Sequence, residues 1–173
     1  MGNEPFAVLL ADDLIEGKIS CLQQMVDRFA KEPYSLVAVE NIAPLDTSKY
    51  GVIDVEEFSK GFGPLRDIVE KPQPDKAPSH FGVVGRYLLT PEIFNELKHT
   101  QPGAKGEIQL TDAIQSLLHK ERVNGYAFVG RRFDCGSKLG YLQAIVSFGQ
   151  KHPEVGHEFE GYLKNIYTST ETC

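Results

Sequence analysis

The hydrophobic pattern of the chain alternates between short apolar runs and amphipathic stretches. Residues 6–10, F-A-V-L-L, form a continuous apolar run without polar alternation, which is typical of a strand buried on both faces. Residues 19–31 instead repeat apolar side chains at helical spacing, with Asp27, Arg28 and Lys31 off the apolar face. The first part of the chain is therefore predicted to be a strand followed by a helix.

The same alternation continues towards the C-terminus. Thr90-Pro91-Glu92 is predicted to start a helix, because it offers a capping hydroxyl, a proline and an acid in the first turn. Ser137 is predicted to cap another helix, which carries Leu139, Leu142, Ile145, Val146 and Phe148. Further strands are predicted at residues 35–42, 50–55, 68–69, 81–88 and 126–129, with K-G-F-G-P at 60–64 as a turn, and further helices at residues 111–120 and 158–167.

Alternating strands and helices predict an α/β fold with a layered mixed sheet flanked by helices. The pattern contains no internal repeat and no low-complexity linker. Residues 1–173 are therefore predicted to form a single domain, which is ordinary for a chain of this length.

Composition and charge argue against two classes of binding partner, nucleic acids and membranes. The net charge is −6 and the basic residues are scattered, so we expect no nucleic-acid partner. No apolar run approaches the ~20 residues that span a bilayer, so we expect no membrane partner. The start, M-G-N-E-P, lacks the features of a signal peptide, and we expect a cytoplasmic protein.

The three cysteines, Cys21, Cys135 and Cys173, lack the spacing of a structural zinc site. Cys135 could be a nucleophile, because it follows a predicted strand and precedes a helix. A catalytic cysteine needs a nearby histidine or cation, however, and no histidine lies near it in sequence. We therefore favour Asp134 as the chemical group in this segment and interpret Cys135 as a packed small side chain.

Polar residues follow three predicted strands, where ligands of α/β sheets bind. Asp12 and Asp134 could hold one divalent metal ion, since such ions prefer carboxylate oxygen. This arrangement suits phosphoryl or nucleotidyl transfer, in which the metal and positioning supply most of the catalysis. The alternative for Asp12 is a turn that caps the next helix.

Glu70 and Lys71 follow the strand predicted at residues 68–69. A carboxylate accepts hydrogen bonds from sugar hydroxyls, and an ammonium group binds phosphate. Adjacent residues on a strand point to opposite faces, but at a strand end before proline the two could meet at one ligand. The alternative is a surface ion pair.

Several segments together resemble a known family. They cover nearly all of the chain in the family's order: P-F-A-V-L-L-A-D-D at 5–13, Y-G-V-I-D at 50–54, V-E-K-P at 69–72, A-P-S-H-F-G-V-V-G-R-Y at 77–87, G-E-I-Q-L-T-D-A-I at 106–114 and F-D-C-G-S-K-L-G-Y-L-Q-A at 133–144. The chain resembles the C-terminal three-fifths of the bacterial UTP–glucose-1-phosphate uridylyltransferases, and hence part of a Rossmann-like sugar nucleotidyltransferase domain.

The resemblance implies conversion of UTP and glucose 1-phosphate to UDP-glucose and pyrophosphate with Mg²⁺, in a protein that forms homo-oligomers. It implies that Asp12 and Asp134 hold the metal ion. Lys71 would bind the phosphate of glucose 1-phosphate and orient it for in-line attack.

For the sugar itself, the resemblance implies three contacts. Glu70 would accept hydrogen bonds from hexose hydroxyls, and the backbones of Gly51 and Val83 would approach the sugar. The roles of Glu107 and Asp112, in the G-E-I-Q-L-T-D segment, stay open.

The chain also departs from the family. Members carry a glycine-rich G-x-G-T-R stretch and a P-K-E-M motif that hold the nucleotide, and neither occurs here. We therefore expect this chain alone to be inactive. Two other interpretations stay open: a non-catalytic module for sugar-phosphate binding or oligomerisation, and a related thymidylyltransferase, since base selection lies mainly in the absent part.

Overall fold

A computed structural model describes residues 2–103 and 106–170 of the chain. These residues divide into two compact units. The first comprises Met1–Leu10 and Glu16–Arg131, and the second comprises Ala11–Ile15 and Arg132–Cys173. The single domain expected from the sequence stays a prediction.

The strands and helices follow one another as the sequence pattern indicates, with three short additions. The additions are a second strand soon after the first, a 3₁₀ helix, Pro44–Lys49, and a strand, Arg131–Asp134, that ends at the predicted strand-end residue Asp134. In chain order the elements are β1 Phe6–Leu9, β2 Asp13–Glu16, α1 Cys21–Phe29, β3 Ser35–Asn41, β4 Gly51–Val55, β5 Phe62–Glu70, β6 Phe81–Leu89, α2 Ile93–His99, α3 Leu110–Leu117, β7 Val123–Ala127, β8 Arg131–Asp134, α4 Lys138–Gln150 and α5 Gly156–Thr170.

Six strands form one mixed sheet in the order β1-β6-β3-β7-β5-β4, and β4 also pairs with β6. The β3–β7 pair is parallel, whereas β5 is antiparallel to both β4 and β7. The remaining two strands, β2 and β8, form a separate two-stranded sheet. The predicted α/β class with a mixed sheet is therefore confirmed.

The prediction for the first strand is correct in type but wrong in burial. β1 lies at one edge of the sheet, and its residues alternate between half-buried and exposed, with Leu9 50% exposed. A continuous apolar run is typical of a central strand, but apolarity alone does not determine whether the strand has neighbours on both sides. β3 is the strand with this central burial, since Ser35–Val39 are all buried.

Two local predictions also need correction. Lys60 and Gly61 form the turn before β5 with left-handed φ angles of 52° and 75°, while Phe62 to Pro64 already belong to the strand. The Thr90 hydroxyl does not cap α2; it donates a hydrogen bond of 2.6 Å to Glu121. The Thr90 carbonyl instead accepts from the Ile93 amide.

The two caps formed by serine have a simple local cause. The Ser20 hydroxyl accepts from the Gln23 amide at the start of α1, and the Ser137 hydroxyl accepts from the Gly140 amide at the start of α4. Each bond satisfies one of the amide donors that a helix start leaves without an intrahelical partner. The predicted Ser137 cap is confirmed.

The main core of the first unit joins the sheet to α2 and α3. Its fully buried members include Ile53, Ile93, Ile114 and Leu117. In the second unit the apolar residues of α4 behave differently, because Leu139, Leu142, Ile145, Val146 and Phe148 are all 38–66% exposed. The helix was predicted correctly, but these side chains do not form a buried stripe.

The core predicts a clear contrast between two aliphatic truncations. Ile114→Ala should lower the free energy of unfolding by about 2–5 kcal/mol, because it removes fully buried methyl groups and leaves a cavity. Leu45→Ala should change it by less than about 0.5 kcal/mol, because Leu45 is 78% exposed. Urea unfolding followed by circular dichroism measures both values, and equal effects would contradict this account of the core.

Candidate active site

The β4–β5 hairpin assembles a polar group in the first unit. Gly51 opens β4 and pairs directly with Glu70, the last residue of β5. A Cβ atom placed on Gly51 would lie 3.4 Å from Glu70 Oε2, 3.4 Å from Thr111 Oγ1 and 3.5 Å from Val83 Cγ2. Three of the predicted sugar-binding residues, Gly51, Glu70 and Val83, therefore surround one small space.

Thr111 belongs to this group, although the sequence analysis did not single it out. Its hydroxyl donates a hydrogen bond of 2.7 Å to Glu70 Oε2, and its side chain lies in the first turn of α3 with 8% exposure. This bond fixes one carboxylate oxygen of Glu70. The G-E-I-Q-L-T-D segment was the available signal, but only the fold brings it to a residue 41 positions away.

Lys71 has an unusual backbone that lets it meet Glu70. Its φ angle is +45°, a left-handed conformation that non-glycine residues rarely adopt, and it precedes Pro72. Its amide donates to the Tyr50 carbonyl at 3.1 Å, which holds this turn in place. Lys71 Nζ lies 3.0 Å from Glu70 Oε1, so the two adjacent side chains do come together.

The Glu70–Lys71 ion pair does not by itself explain the strained backbone. Both side chains retain solvent contact, and exposed pairs contribute at most about 1 kcal/mol. A left-handed non-glycine residue costs about 1–3 kcal/mol and is found preferentially at functional sites. The strain at Lys71 therefore favours a binding role for its ammonium group.

The second unit contains the two predicted metal-binding aspartates. Asp134 ends β8, and Asp12 lies in the turn before β2. The Cys135 amide donates to the Asp12 carbonyl at 2.8 Å, which joins the two segments. A Cβ atom on Gly136 would lie 3.1 Å from Asp134 Oδ1 and 3.4 Å from Asp12 Oδ2. Two carboxylate oxygens thus flank a small cradle at Gly136, in which an added Cβ would be tight against Asp134.

A buried ion pair supports these aspartates. Arg132 Nε donates to Asp13 Oδ1, and the two side chains are only 6% and 9% exposed. Burial raises the pKa of Asp13 above its usual range, Arg132 opposes that rise, and the charges of Asp12 and Asp134 add to it. The negative charges of Asp12 and Asp134 are therefore felt at Asp13, whose own charge is compensated by Arg132.

The cradle fits a hard divalent cation. Within residues 2–103 and 106–170, no group of three His, Cys, Asp or Glu side chains is arranged as a metal site. Mg²⁺ does not need such a group, because it is usually bound by one or two carboxylates together with water and substrate phosphates. Asp12 and Asp134 therefore offer donors of the kind that a hard divalent cation uses.

The other residues considered in the sequence analysis have the following places in the structure. The half-buried Cys135 directs its thiol at the Phe133 carbonyl, 3.8 Å away. Asp12 and Asp13 do not cap a helix, as the alternative proposed, because they lead into β2. Glu107 is exposed, and Asp112 lies in the first turn of α3. Cys173 lies outside the described residues.

The comparisons with known proteins agree with this chemistry. The family model described as nucleotidyl transferase matches residues 1–151. The chain therefore belongs to the nucleotidyl transferase family. Within the described residues, every helix is too short or too polar to span a membrane.

Individual relatives show a more specific similarity than the family model does. The chain is 40% identical over 166 residues to a UTP–glucose-1-phosphate uridylyltransferase of Staphylococcus epidermidis, covering 96% of this chain and 58% of the relative. It is 47% identical over 147 residues to the enzyme of the same name from Pseudomonas aeruginosa, covering 83% of this chain and 52% of the relative. The chain thus spans little more than half the length of these relatives.

A solved structure shows the same likeness in three dimensions. The crystal structure of a UDP-glucose pyrophosphorylase complexed with UDP-glucose superposes with a TM-score of 0.83 and 45% sequence identity. The superposition covers 88% of this chain and 59% of that one. The resemblance stated from the sequence motifs is confirmed at this level.

The Arg132–Asp13 pair generates a stability prediction. Arg132→Ala should lower the free energy of unfolding by about 3–5 kcal/mol, because it removes the guanidinium group from a buried carboxylate. Arg66→Ala is the matched control, since Arg66 pairs with Asp54 at a half-exposed position and should contribute less than about 1 kcal/mol. Similar urea midpoints for the two variants would contradict the structural role of the buried pair.

Proposed function

We propose that this chain is the sugar-phosphate-binding and metal-binding part of a UTP–glucose-1-phosphate uridylyltransferase, which forms UDP-glucose and pyrophosphate. The observation that carries the proposal is the group at Gly51, where the Glu70 carboxylate is fixed by Thr111 and lies beside the Lys71 ammonium. This group offers both a hydroxyl acceptor and a phosphate-binding cation, which a sugar phosphate requires.

The sugar is held by the first unit. Thr111 occupies Glu70 Oε2, so the remaining lone pairs of the carboxylate accept from hexose hydroxyls. Gly51 would present its backbone to the sugar, with the absent side chain leaving room for it, and the Val83 side chain lies at the same space. The chain's own packing tolerates a methyl group at Gly51 at 3.4–3.5 Å, which favours a ligand as the reason for glycine.

Lys71 has the central electrostatic role. Its ammonium group exchanges the half-buried Glu70 carboxylate for the phosphate of glucose 1-phosphate, a change that the 51% exposure of the Lys71 side chain permits. It then orients a phosphate oxygen for in-line attack on the α-phosphorus of UTP. Positioning of this kind supplies much of the catalysis in phosphoryl and nucleotidyl transfer.

Asp12 and Asp134 would hold Mg²⁺ at the Gly136 cradle. When bound there, the ion supplies charge neutralisation for the triphosphate and the departing pyrophosphate. The buried Arg132–Asp13 pair keeps the strands of this two-stranded sheet in place. We propose a cytoplasmic location, which the free thiols of Cys21 and Cys135 support.

The first experiment measures glucose 1-phosphate binding to the chain by titration calorimetry. Lys71→Ala should weaken binding by about tenfold to a hundredfold, since a charged hydrogen bond contributes about 1.5–3 kcal/mol. Lys76→Ala is a matched control on the exposed loop after β5 and should leave the affinity unchanged. Pyrophosphate release from UTP and glucose 1-phosphate should be undetectable for the chain alone.

Two outcomes would contradict parts of this proposal. Unchanged affinity in Lys71→Ala would remove Lys71 from the phosphate site, and robust pyrophosphate release would refute the expected inactivity. Binding without turnover when the chain is supplied with the family's nucleotide-binding part would instead favour a non-catalytic module.

Gly51 provides a separate prediction. Gly51→Ala should weaken glucose 1-phosphate binding by about tenfold or more while leaving the unfolding midpoint nearly unchanged, because its Cβ meets the chain's own atoms at 3.4–3.5 Å. Gly125→Ala is the contrasting variant, because its Cβ would lie 2.7 Å from Ile53 Cδ1 and should destabilise the core. Unimpaired sugar-phosphate binding by Gly51→Ala would contradict the assignment of this space.

We also propose that the chain forms homo-oligomers through α4. The exposed apolar residues of this helix support a protein interface, since such patches are uncommon on monomers. Sedimentation velocity should show dimers or larger species, and Leu142→Glu should dissociate them. Leu45→Glu, an equivalent change at an exposed residue of the first unit, should have no effect. Monomers at all concentrations would refute the proposal.

A further inference from the structure

We propose that the first unit has a second binding site, which takes a phosphate-bearing molecule of mononucleotide size. The site is a cavity of about 520 Å³ beside the C-terminal half of α1. This volume lies in the range of about 300–1,000 Å³ that is typical of small-molecule sites. The lining residues are Gln24, Asp27, Arg28, Lys31, Ser59, Lys60, Phe62 and Tyr126.

The cavity is remote from the group at Gly51. Phe62, which lines the cavity, is the first residue of β5, and Glu70 is the last. Strand geometry separates these two residues by about 26 Å, at about 3.3 Å per residue. The proposed site is therefore distinct from the sugar-phosphate site and is independent of the function proposed above.

Positive charge dominates the lining of the cavity. The charge of Arg28 is paired with Glu32, which lies outside the lining. Lys31 and Lys60 therefore face a single lining carboxylate, Asp27, in a chain whose net charge is −6. Asp27 Oδ1 already accepts a hydrogen bond of 2.8 Å from the side-chain amide of Gln23. This imbalance favours an anionic ligand, because nearby unpaired cations attract and retain negative charge.

The two lysines are the groups available to the ligand. In the part of the chain that the structure describes, neither the Lys31 nor the Lys60 ammonium forms an ion pair. Lys60 stands in a turn with a left-handed φ of 52°, next to the Ser59 hydroxyl. An ammonium pair with a neighbouring hydroxyl matches the hydrogen-bond acceptors of a phosphate group.

Arg28 has a supporting role. Its guanidinium lies over the Phe62 ring at 3.5 Å and binds Glu32 at 2.5 Å. Among the described residues, its buried Nε has no hydrogen-bond partner. Since a buried unpaired donor is costly, an acceptor from a ligand in the cavity would satisfy it.

The apolar side of the cavity suits a planar ring. Phe62 and Tyr126 pair across β5 and β7 and both line the cavity. The Tyr126 hydroxyl donates a hydrogen bond of 3.4 Å to Gln24 Oε1, and its oxygen can still accept one from a ligand. Gln24 is already occupied, because its amide binds the Ile19 and Val129 backbones. Arg28 covers one face of the Phe62 ring, so a nucleoside monophosphate would place its base against Tyr126 and the stacked Arg28–Phe62 pair and its phosphate at Lys31 and Lys60.

Calorimetric titration of the full chain with AMP tests the proposal, with inorganic phosphate as the second probe. AMP should bind at submillimolar to millimolar concentration and more tightly than inorganic phosphate. Lys31→Ala and Lys60→Ala should each weaken AMP binding by about tenfold, as expected for loss of one charged contact. Both side chains are exposed, so circular dichroism should show that both variants fold.

Two control variants separate this site from the other. Lys76→Ala removes an exposed lysine outside the cavity, and Lys71→Ala removes the ammonium group of the proposed sugar-phosphate site; both should bind AMP as the unmodified chain does. Loss of AMP binding in Lys71→Ala would overturn the second site, as would unchanged binding in Lys31→Ala and Lys60→Ala. Absence of AMP binding at millimolar concentration would overturn it outright, and equal affinity for inorganic phosphate would overturn the role of the rings.

Discussion

The pairing register of β4 against β5 is the constraint on which the first unit's polar group depends. This register sets Gly51 opposite Glu70, where the Thr111 hydroxyl reaches the carboxylate. Because side chains alternate between the two faces of a strand, a slip of one residue would turn Glu70 away from Thr111. The buried residues Ile53 and Ile68, which also pair across these strands, oppose such a slip. The hydrophobic core thus fixes the position of a polar group that contributes nothing to the core.

In the second unit, a buried ion pair positions the polar residues. Asp12 and Asp134 approach one cradle from β2 and β8, and the only strongly buried charges beside them belong, among the described residues, to Asp13 and Arg132. A buried ion pair gains little net stability over an apolar pair. It does, however, specify which strands lie together, and here it keeps the carboxylates of Asp12 and Asp134 near each other despite their repulsion.

Sequence reasoning identified the strand-end residues but not their partners. Glu70 was predictable because it ends a strand of clear pattern, whereas Asp134 was identified from its place just before the predicted Ser137 helix, since the strand that it ends, R-R-F-D, has no clear apolar pattern. Thr111 and the Arg132–Asp13 pair were not, because their contacts join positions 41 and 119 residues apart. The exposure of Leu142 could not be predicted either, since the spacing of apolar residues predicts a helix face but not what covers that face.

The most direct test is a crystal structure of the chain soaked with Mn²⁺ and glucose 1-phosphate. The account predicts an anomalous peak about 2.0–2.3 Å from oxygens of Asp12 and Asp134, as expected for a divalent ion of this size. It also predicts a hexose at Gly51 with hydroxyls bonded to Glu70, and a phosphate at Lys71. A metal ion bound elsewhere, or a sugar phosphate that avoids Glu70 and Lys71, would contradict the account.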